Sequence, residues 1–147
     1  MKLFDSHCHI DDKIFNKDFT QVLKRASNAG VEGMMIAGIT LKTVKNAVKL
    51  AENNHGLFAS VGVHPHDASS CSETDMKILR EMASNPKVKA WGEIGLDFNR
   101  MFSPQKIQEK WFIRQLEIAD ELKLPLIFHE RDSSGRFLQL IQTNSHQ

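Results

Sequence analysis

Short apolar segments alternate with amphipathic segments along the chain, and this alternation limits the possible folds more than any other feature. Each apolar segment has the length of a β-strand, and apolar residues recur at helical spacing between them. The predicted strands are Lys2–His9, Gly33–Ile39, Leu57–Val63, Lys87–Ile94 and Leu124–His129. The predicted helical stretches are 19–29, 44–55, Ser72–Ser84, 103–122 and Gly135–Gln142. Repeated β-then-α order predicts parallel strands joined by right-handed crossovers.

Two parallel architectures fit this order, an open doubly wound sheet and a (β/α) barrel. No G-x-G-x-x-G motif follows the first strand, so a dinucleotide-binding sheet has no support. The fourth helix has a clear start signal, with Ser103 as the predicted N-cap and Pro104 at the first helical position. The length of 147 residues suits one domain, 1–147.

Charge and cysteine content narrow the class of protein. The net charge of +1 predicts neither a basic nucleic-acid groove nor a contact with an anionic membrane. A nucleic-acid substrate stays possible, because bound metal ions can supply positive charge locally. The two cysteines, Cys8 and Cys71, and the lack of a leader or membrane span predict a cytoplasmic protein. We expect no membrane contact and no obligate protein partner.

Polar residues gather where the predicted strands end. They are His7 and His9 on the first strand, His64 and His66 after the third, Glu93 and Asp97 on the fourth, and His129 and Arg131 on the fifth. In both parallel architectures ligands bind at the carboxyl ends of the strands. Residues two apart on a strand share a face, so His7 and His9 form a two-residue clamp for a metal ion. Glu93 could bridge two ions, with His129 serving the second.

Each of these residues also has a simpler interpretation. His7 and His9 could be exposed imidazoles at a strand end, and His64 and His66 could belong to a loop shaped by Pro65. Imidazole and carboxylate donors together favour one or two divalent cations, with Zn²⁺ and Mn²⁺ well suited and Mg²⁺ tolerated.

The remaining polar residues leave alternatives open as well. Asp97 could face a ligand or cap a loop. Arg131 could hold a substrate phosphate or carboxylate, or pair with Glu130 or Asp132. We expect Asp5 to orient a histidine rather than bind metal.

Four motifs together resemble the TatD family of metal-dependent deoxyribonucleases, within the amidohydrolase-like barrels. They are FDSHCHID, GVHPH, WGEIGLDF and LPLIFHERD. The resemblance implies metal-dependent hydrolysis of phosphodiester bonds in DNA, often from a 3′ end. It implies that His7, His9, Glu93 and His129 are metal ligands, with Glu93 also catalytic. It further implies that His64 and Arg131 lie near the substrate phosphate.

The length of the chain departs from the family pattern. A complete eight-stranded barrel has roughly 250 residues, and in the family a further histidine and a late aspartate complete the metal site. Neither has a counterpart here, and His146 lies in a polar tail rather than at a strand end. The predicted fold class is therefore α/β, with TIM-barrel-type repeats truncated after about five βα units.

Two other functions compete with the nuclease. The first is an amidohydrolase-type enzyme acting on a small amide or ester, since such enzymes share the H-x-H strand. The second is an inactive, truncated remnant of the nuclease, because the late aspartate is missing. Activity on an amide with none on DNA would favour the first, and recovered activity of the 147-residue chain would exclude the second.

Overall fold

The computed structural model describes residues 2–144 of the protein, and within that range the elements follow the predicted alternation. The strands are β1 (Leu3–Cys8), β2 (Val31–Ile36), β3 (Leu57–Val61), β4 (Val88–Asp97) and β5 (Leu126–Arg131). The helices are α1 (Phe19–Asn28), α2 (Leu41–Asn53), α3 (Glu73–Met82), α4 (Gln105–Leu122) and α5 (Arg136–Asn144). All strand pairs are parallel, and the order across the sheet is the order along the chain. The predicted α/β class is confirmed.

The fourth strand is longer than the sequence predicts. It continues past Ile94 to Asp97 because its last residues pair with β5, with Gly95 opposite His129 and Asp97 opposite Arg131. The predicted fifth strand also shifts toward the carboxyl end by two residues, to Leu126–Arg131. These shifts place Asp97 and Arg131 inside the sheet rather than in the loops that follow it.

Helix starts follow local hydrogen bonding, and one predicted start is wrong. Helices α2 and α3 begin with capping boxes, in which Thr40 and Ser72 accept hydrogen bonds from backbone N–H groups of the first turn. Helix α4 has Pro104 as its N-cap, so Ser103 lies one residue too early to cap it. The buried Ser103 hydroxyl instead donates to the carbonyl of His66 and accepts from the N–H of Ser69.

The core lies between the sheet and the helices that cover one of its faces. The predicted stripe on α2 is buried and packs into this core; it consists of Val44, Ala47, Val48 and Ala51. The largest buried side chains include Trp91, Ile94 and Leu96 from β4 and Phe112 from α4. Burying side chains of this size contributes about 1.5–3 kcal/mol each. Strand β4 is buried along almost its whole length and forms the centre of the fold.

Some apolar side chains remain exposed at the margins of the sheet. Phe4 on β1 is 52% exposed and contacts the ring of Phe58, and Phe128 on β5 is 40% exposed. None of the helices in residues 2–144 is long and apolar enough to cross a membrane. His146, which the sequence placed in a polar tail, lies outside the described residues.

Gly95 is the position where the sheet depends on a residue without a side chain. Its φ angle is +148°, and a Cβ added there would lie 1.8 Å from the carbonyl oxygen of His129 on β5. We expect Gly95→Ala to lower the free energy of unfolding by about 3 kcal/mol or more, because the backbone of β5 must move. Urea unfolding followed by circular dichroism measures the change.

The matched control for Gly95 is Gly135, which also has a positive φ angle, +83°, but has no atom within 4 Å of an added Cβ. Gly135→Ala should cost about 1 kcal/mol, from backbone strain alone. Equal losses in the two variants would contradict the importance of the close approach between β4 and β5.

A bidentate ion pair fastens α5 to α4. The Arg136 guanidinium donates from Nε and Nη2 to the two carboxylate oxygens of Glu109, at 2.9 and 2.7 Å. These hydrogen bonds from Arg136 lower the pKa of Glu109 below its ordinary value of 4.5. The pair therefore contributes stability above about pH 4.5 and loses it as the pH falls through the lowered pKa of Glu109.

We expect Glu109→Gln to lower the midpoint of urea unfolding at pH 7 and to have a smaller effect at pH 3, because the contribution of the wild-type carboxylate is lost as the pH falls through its lowered pKa. Asp120→Asn is the matched control, because Asp120 pairs with Lys123 at the surface of the same helix. A loss of stability in Glu109→Gln that is the same at both pH values would argue against the ion pair.

Candidate metal centre

Strands β1 and β4 bring the first three predicted ligands together. The Nε2 atoms of His7 and His9 are 3.3 Å apart, and Nε2 of His7 is 3.3 Å from Oε2 of Glu93. One donor atom from each of the three residues lies within 4.8 Å of the others, close enough to hold a metal ion. His7 and His9 are exposed while Glu93 is buried, so the group lies at the surface of the sheet mouth.

The structure also assembles a second group of donors, on β5 and after β3. It consists of His64, His66 and His129, whose donor atoms again lie within 4.8 Å of one another. The ring centroids of His64 and His129 are 4.3 Å apart, as are those of His64 and His66. Of these three, the sequence predicts only His129 as a metal ligand. It predicts His64 near the substrate and gives His66 no role in the site.

Glu93 lies between the two groups and contacts both. Its Oε2 atom is near His7, while its Oε1 atom is 3.1 Å from Nδ1 of His129 and 3.6 Å from Nε2 of His64. The peptide N–H of Glu93 donates to the carbonyl of Gly38 after β2, which fixes the backbone at this point. One carboxylate therefore presents an oxygen to each group, as a bridging ligand requires.

Asp97 caps a loop, one of the two roles that the sequence left open, and it also contacts two of the histidines. Its Oδ1 atom caps the following loop by accepting hydrogen bonds from the N–H groups of Asn99 and Arg100. Its Oδ2 atom lies 2.7 Å from Nε2 of His66 and 3.2 Å from Nε2 of His129. Burial alone would raise the pKa of Asp97, but these hydrogen bonds hold it well below its ordinary range. Asp97 is therefore a fixed negative charge behind the histidines.

His129 shows that the donor set suits a cation. Its Nε2 atom faces Asp97 and its Nδ1 atom faces Glu93, so both ring nitrogens lie against carboxylate oxygens. A neutral imidazole carries a proton on one nitrogen only. The other nitrogen then presents a lone pair to a carboxylate, an arrangement that is favourable only when a proton or metal ion lies between them.

His64 is held as a neutral imidazole. Burial lowers the pKa of its imidazole to about 3, and the neighbouring His129 and His66 act in the same direction. Its Nδ1 atom accepts a hydrogen bond from the N–H of His66, and its own N–H donates to the carbonyl of Ile39. The Nε2 atom is thus directed toward Glu93, on the side of the ring away from the backbone.

Two buried glutamines on α4 hold the strand ends that carry these residues. Gln115 accepts from the N–H of Val63 and donates to its carbonyl, just before His64 in the chain. Gln108 does the same for Asp97 and also donates to the carbonyl of Ser103. The sequence reasoning described the face of α4 only by its apolar residues. The available signal was the spacing of seven between Gln108 and Gln115, which places both on the buried face.

Arg131 and Asp5 behave differently from their neighbours in the site. Arg131 is exposed at the end of β5, and neither candidate partner takes it up: Glu130 accepts hydrogen bonds from Ser133, and Asp132 accepts one from Asn99. Asp5 accepts from the backbone N–H of His7 rather than from an imidazole, so the expected contact with a histidine ring is not formed.

A cleft of about 820 Å³ opens beside His9. It lies between the segment that follows β1 and the start of α2, and its walls include Lys13 and Lys42. Asp11 also lines it, and burial raises the pKa of that carboxyl. The cleft is large enough for several linked polar groups of a substrate.

The parallel sheet and its mouth of histidines and carboxylates define the class of TIM-barrel-like α/β proteins with a polar centre at the carboxyl ends of the strands. The chain belongs to the TatD related DNase family, which matches residues 4–147. A crystal structure of a TatD homologue from Escherichia coli K12 superposes with a TM-score of 0.88 at 30% identity. The match covers 97% of this chain and 56% of that one, so the strands form part of a barrel.

Curated relatives agree with this assignment. The 3′-5′ ssDNA/RNA exonuclease TatD of Shigella flexneri is 41% identical over 140 residues, which is 95% of this chain and 54% of the relative. The protein of the same name from Escherichia coli K12 is 39% identical with the same coverage. An uncharacterised amidohydrolase from Saccharomyces cerevisiae, at 22% identity and TM-score 0.88, shares the fold. The chain spans about half the length of the curated relatives it matches.

Gln108 can be tested by removing its polar end. Gln108→Leu leaves the N–H and carbonyl of Asp97 and the carbonyl of Ser103 without their partner in a buried place. We expect the free energy of unfolding to fall by about 3 kcal/mol, since each unsatisfied group costs about 1–3 kcal/mol. Gln105→Leu, an exposed position in the first turn of α4, should change it by less than about 0.5 kcal/mol. Similar losses of stability in both variants would rule out a stabilising role for the Gln108 hydrogen bonds.

Proposed function

We propose that this chain carries the metal-binding part of a deoxyribonuclease that removes nucleotides from a 3′ end. The observation behind the proposal is the position of Glu93, whose two oxygens contact two separate groups of histidines. Such a carboxylate between groups of imidazoles is what a pair of neighbouring divalent cations requires. Family membership and the exonuclease relatives point to a phosphodiester as the bond that is broken.

The residues of this chain would hold the cations in a defined way. His7, His9 and Glu93 would hold one ion, and His129 would hold the second together with the other oxygen of Glu93. Beside His129 in the second group, His66 is hydrogen-bonded to Asp97, and His64 is a neutral imidazole left for the substrate. We propose two ions, with Mg²⁺, Mn²⁺ and Zn²⁺ as candidates. When bound, divalent ions supply Lewis acidity and lower the pKa of water at the site.

The protein's own contribution is orientation. Asp97 fixes the rings of His66 and His129 through its Oδ2 atom, and this limits how the imidazoles can turn. Arg131, exposed at the same mouth, has the planar set of donors that binds a phosphate in two places. We propose Arg131 and His64 as substrate contacts. The cleft beside His9 would receive further phosphates of the strand near Lys13 and Lys42.

DNA is the substrate we propose. The net charge of the chain is only +1, so the charge of the DNA phosphates would be balanced locally, by bound cations and a few arginine and lysine side chains. Cys8 and Cys71 are both free thiols, as expected in a reducing compartment, and we propose a cytoplasmic location.

The test is a nuclease assay on a single-stranded oligonucleotide labelled at its 5′ end, with Mn²⁺, Mg²⁺ or Zn²⁺ supplied. We expect a ladder of products shortened from the 3′ end. Glu93→Gln should lower the rate by about 100-fold or more, because an amide keeps the size of the side chain but loses the charge that both groups of histidines share.

His55→Ala is the control, because His55 is an exposed histidine away from the site. It should cleave at the wild-type rate. A wild-type chain that cleaves nothing with any of the three cations would overturn the proposal for this chain and favour an inactive remnant. Cleavage that survives in Glu93→Gln would overturn the assignment of the site.

A further inference from the structure

Several large apolar side chains are exposed in residues 2–144, and one of them, Phe102, lies against a histidine of the candidate metal centre. It is 65% exposed, although its ring lies beside the second group of histidines. The edge of one ring meets the face of the other between Phe102 and His66, with centroids 4.9 Å apart at an angle of 85°. Exposing a phenyl ring gives up the free energy of its burial, so a ring held in water beside a site suggests a contact made with a ligand.

The loop that carries Phe102 is held on both sides. On one side, Phe98 donates its N–H to the carbonyl of Arg131, and Asn99 donates its side-chain amide to Asp132. On the other side, the fully buried Ser103 hydrogen-bonds to the segment that carries His66. The ring is thus displayed on a fixed support, which lowers the conformational entropy lost when a ligand packs against it.

The surroundings of Phe102 decide what that ligand is. Arg100 in the same loop and Arg131 at the end of β5 are exposed, and within residues 2–144 neither guanidinium forms an ion pair. A flat apolar ring, two exposed arginines from the adjoining segments and a candidate cation site together match a nucleotide, which has a flat base beside an anionic phosphate. A phospholipid also carries apolar groups beside a phosphate, but its acyl chains have no flat face to stack on the ring.

We propose that Phe102 stacks on an unpaired nucleobase next to the phosphate held at the metal centre, and so selects single-stranded nucleic acid. This inference rests on the proposed function. Stacking is tolerant of base identity, because each base has a π face, and it requires a base that is not already held in a duplex. Phe102 acts as a binding residue on this account and takes no part in breaking the bond.

The experiment measures binding rather than cleavage. The probe is a single-stranded oligonucleotide with 2-aminopurine as its 3′-terminal base and phosphorothioate linkages that slow hydrolysis. The full 147-residue chain is added stepwise to this probe in the presence of Mn²⁺, and its binding should quench the fluorescence of the 2-aminopurine. Phe102→Leu, which keeps an apolar side chain but removes the ring, should raise the Kd by about tenfold and abolish most of the quenching. Phe102→Trp should bind within about twofold of wild type.

Two controls separate stacking from a structural effect. Phe4→Leu changes another exposed phenylalanine, one that contacts Phe58, and should leave binding unchanged. An oligonucleotide whose terminal nucleotide lacks a base should bind wild type and Phe102→Leu equally. The stacking proposal would be overturned if Phe102→Leu weakened binding of the abasic oligonucleotide, or if it left binding of the base-bearing oligonucleotide unchanged. A wild-type chain that neither bound nor quenched the probe would overturn it as well.

The outcomes also separate this inference from the proposed function. If the wild type cleaves DNA but binding does not depend on Phe102, the proposed nuclease function is supported and the stacking proposal is wrong. Quenching that depends on Phe102 without cleavage would support stacking and overturn the proposed hydrolysis.

Discussion

Where β3 and β4 reach the mouth of the sheet, their backbone groups need partners, and two amide side chains from α4 supply them. Gln115 hydrogen-bonds to both backbone groups of Val63, and Gln108 does so for Asp97. An amide can do this because it carries a donor and an acceptor side by side, as a peptide group does. These bonds fix the backbone of Asp97 and of Val63, the residue just before His64. Within residues 2–144, each buried side-chain nitrogen or oxygen has a hydrogen-bond partner, so the polar interior is fully paired.

The two carboxylates give the site its electrostatic character. Glu93 and Asp97 lie on the same strand, and both are buried at a point where His7, His64, His66 and His129 converge. Two buried negative charges near each other are destabilising unless positive charges or hydrogen-bond donors compensate them. Asp97 accepts hydrogen bonds from backbone N–H groups and lies against imidazoles, whereas within residues 2–144 the side-chain contacts of Glu93 are with imidazoles alone. The charge requirement is therefore greatest at Glu93, between the two groups.

The alternation of strands and helices could be predicted because apolar period and strand length are written locally in the sequence. The placement of His7, His9, Glu93 and His129 at one mouth followed from the rule for parallel strands, and these residues do lie together. Other features depend on contacts that no local pattern encodes. Ser103 has the chemistry of an N-cap but is taken up by His66 and Ser69, which lie far from it in the chain. The contact of Asp97 with His129 and the need for glycine at position 95 arise only when β5 lies alongside β4.

Because the order of strands across the sheet equals their order along the chain, each strand can add to a partner that has already been synthesised. The fold can thus form progressively from its amino end, with each new strand joined by one helical crossover to a strand that is already present. The chemistry follows a different schedule. His7 lies in the first strand and His9 directly follows it, whereas Glu93 and His129 lie in the fourth and fifth strands. During synthesis, His7 and His9 are therefore present without Glu93, the carboxylate of their group, until four of the five strands have been made. On the proposed function, a nascent chain of this kind would gain its first complete candidate cation group only after β4 has joined the sheet.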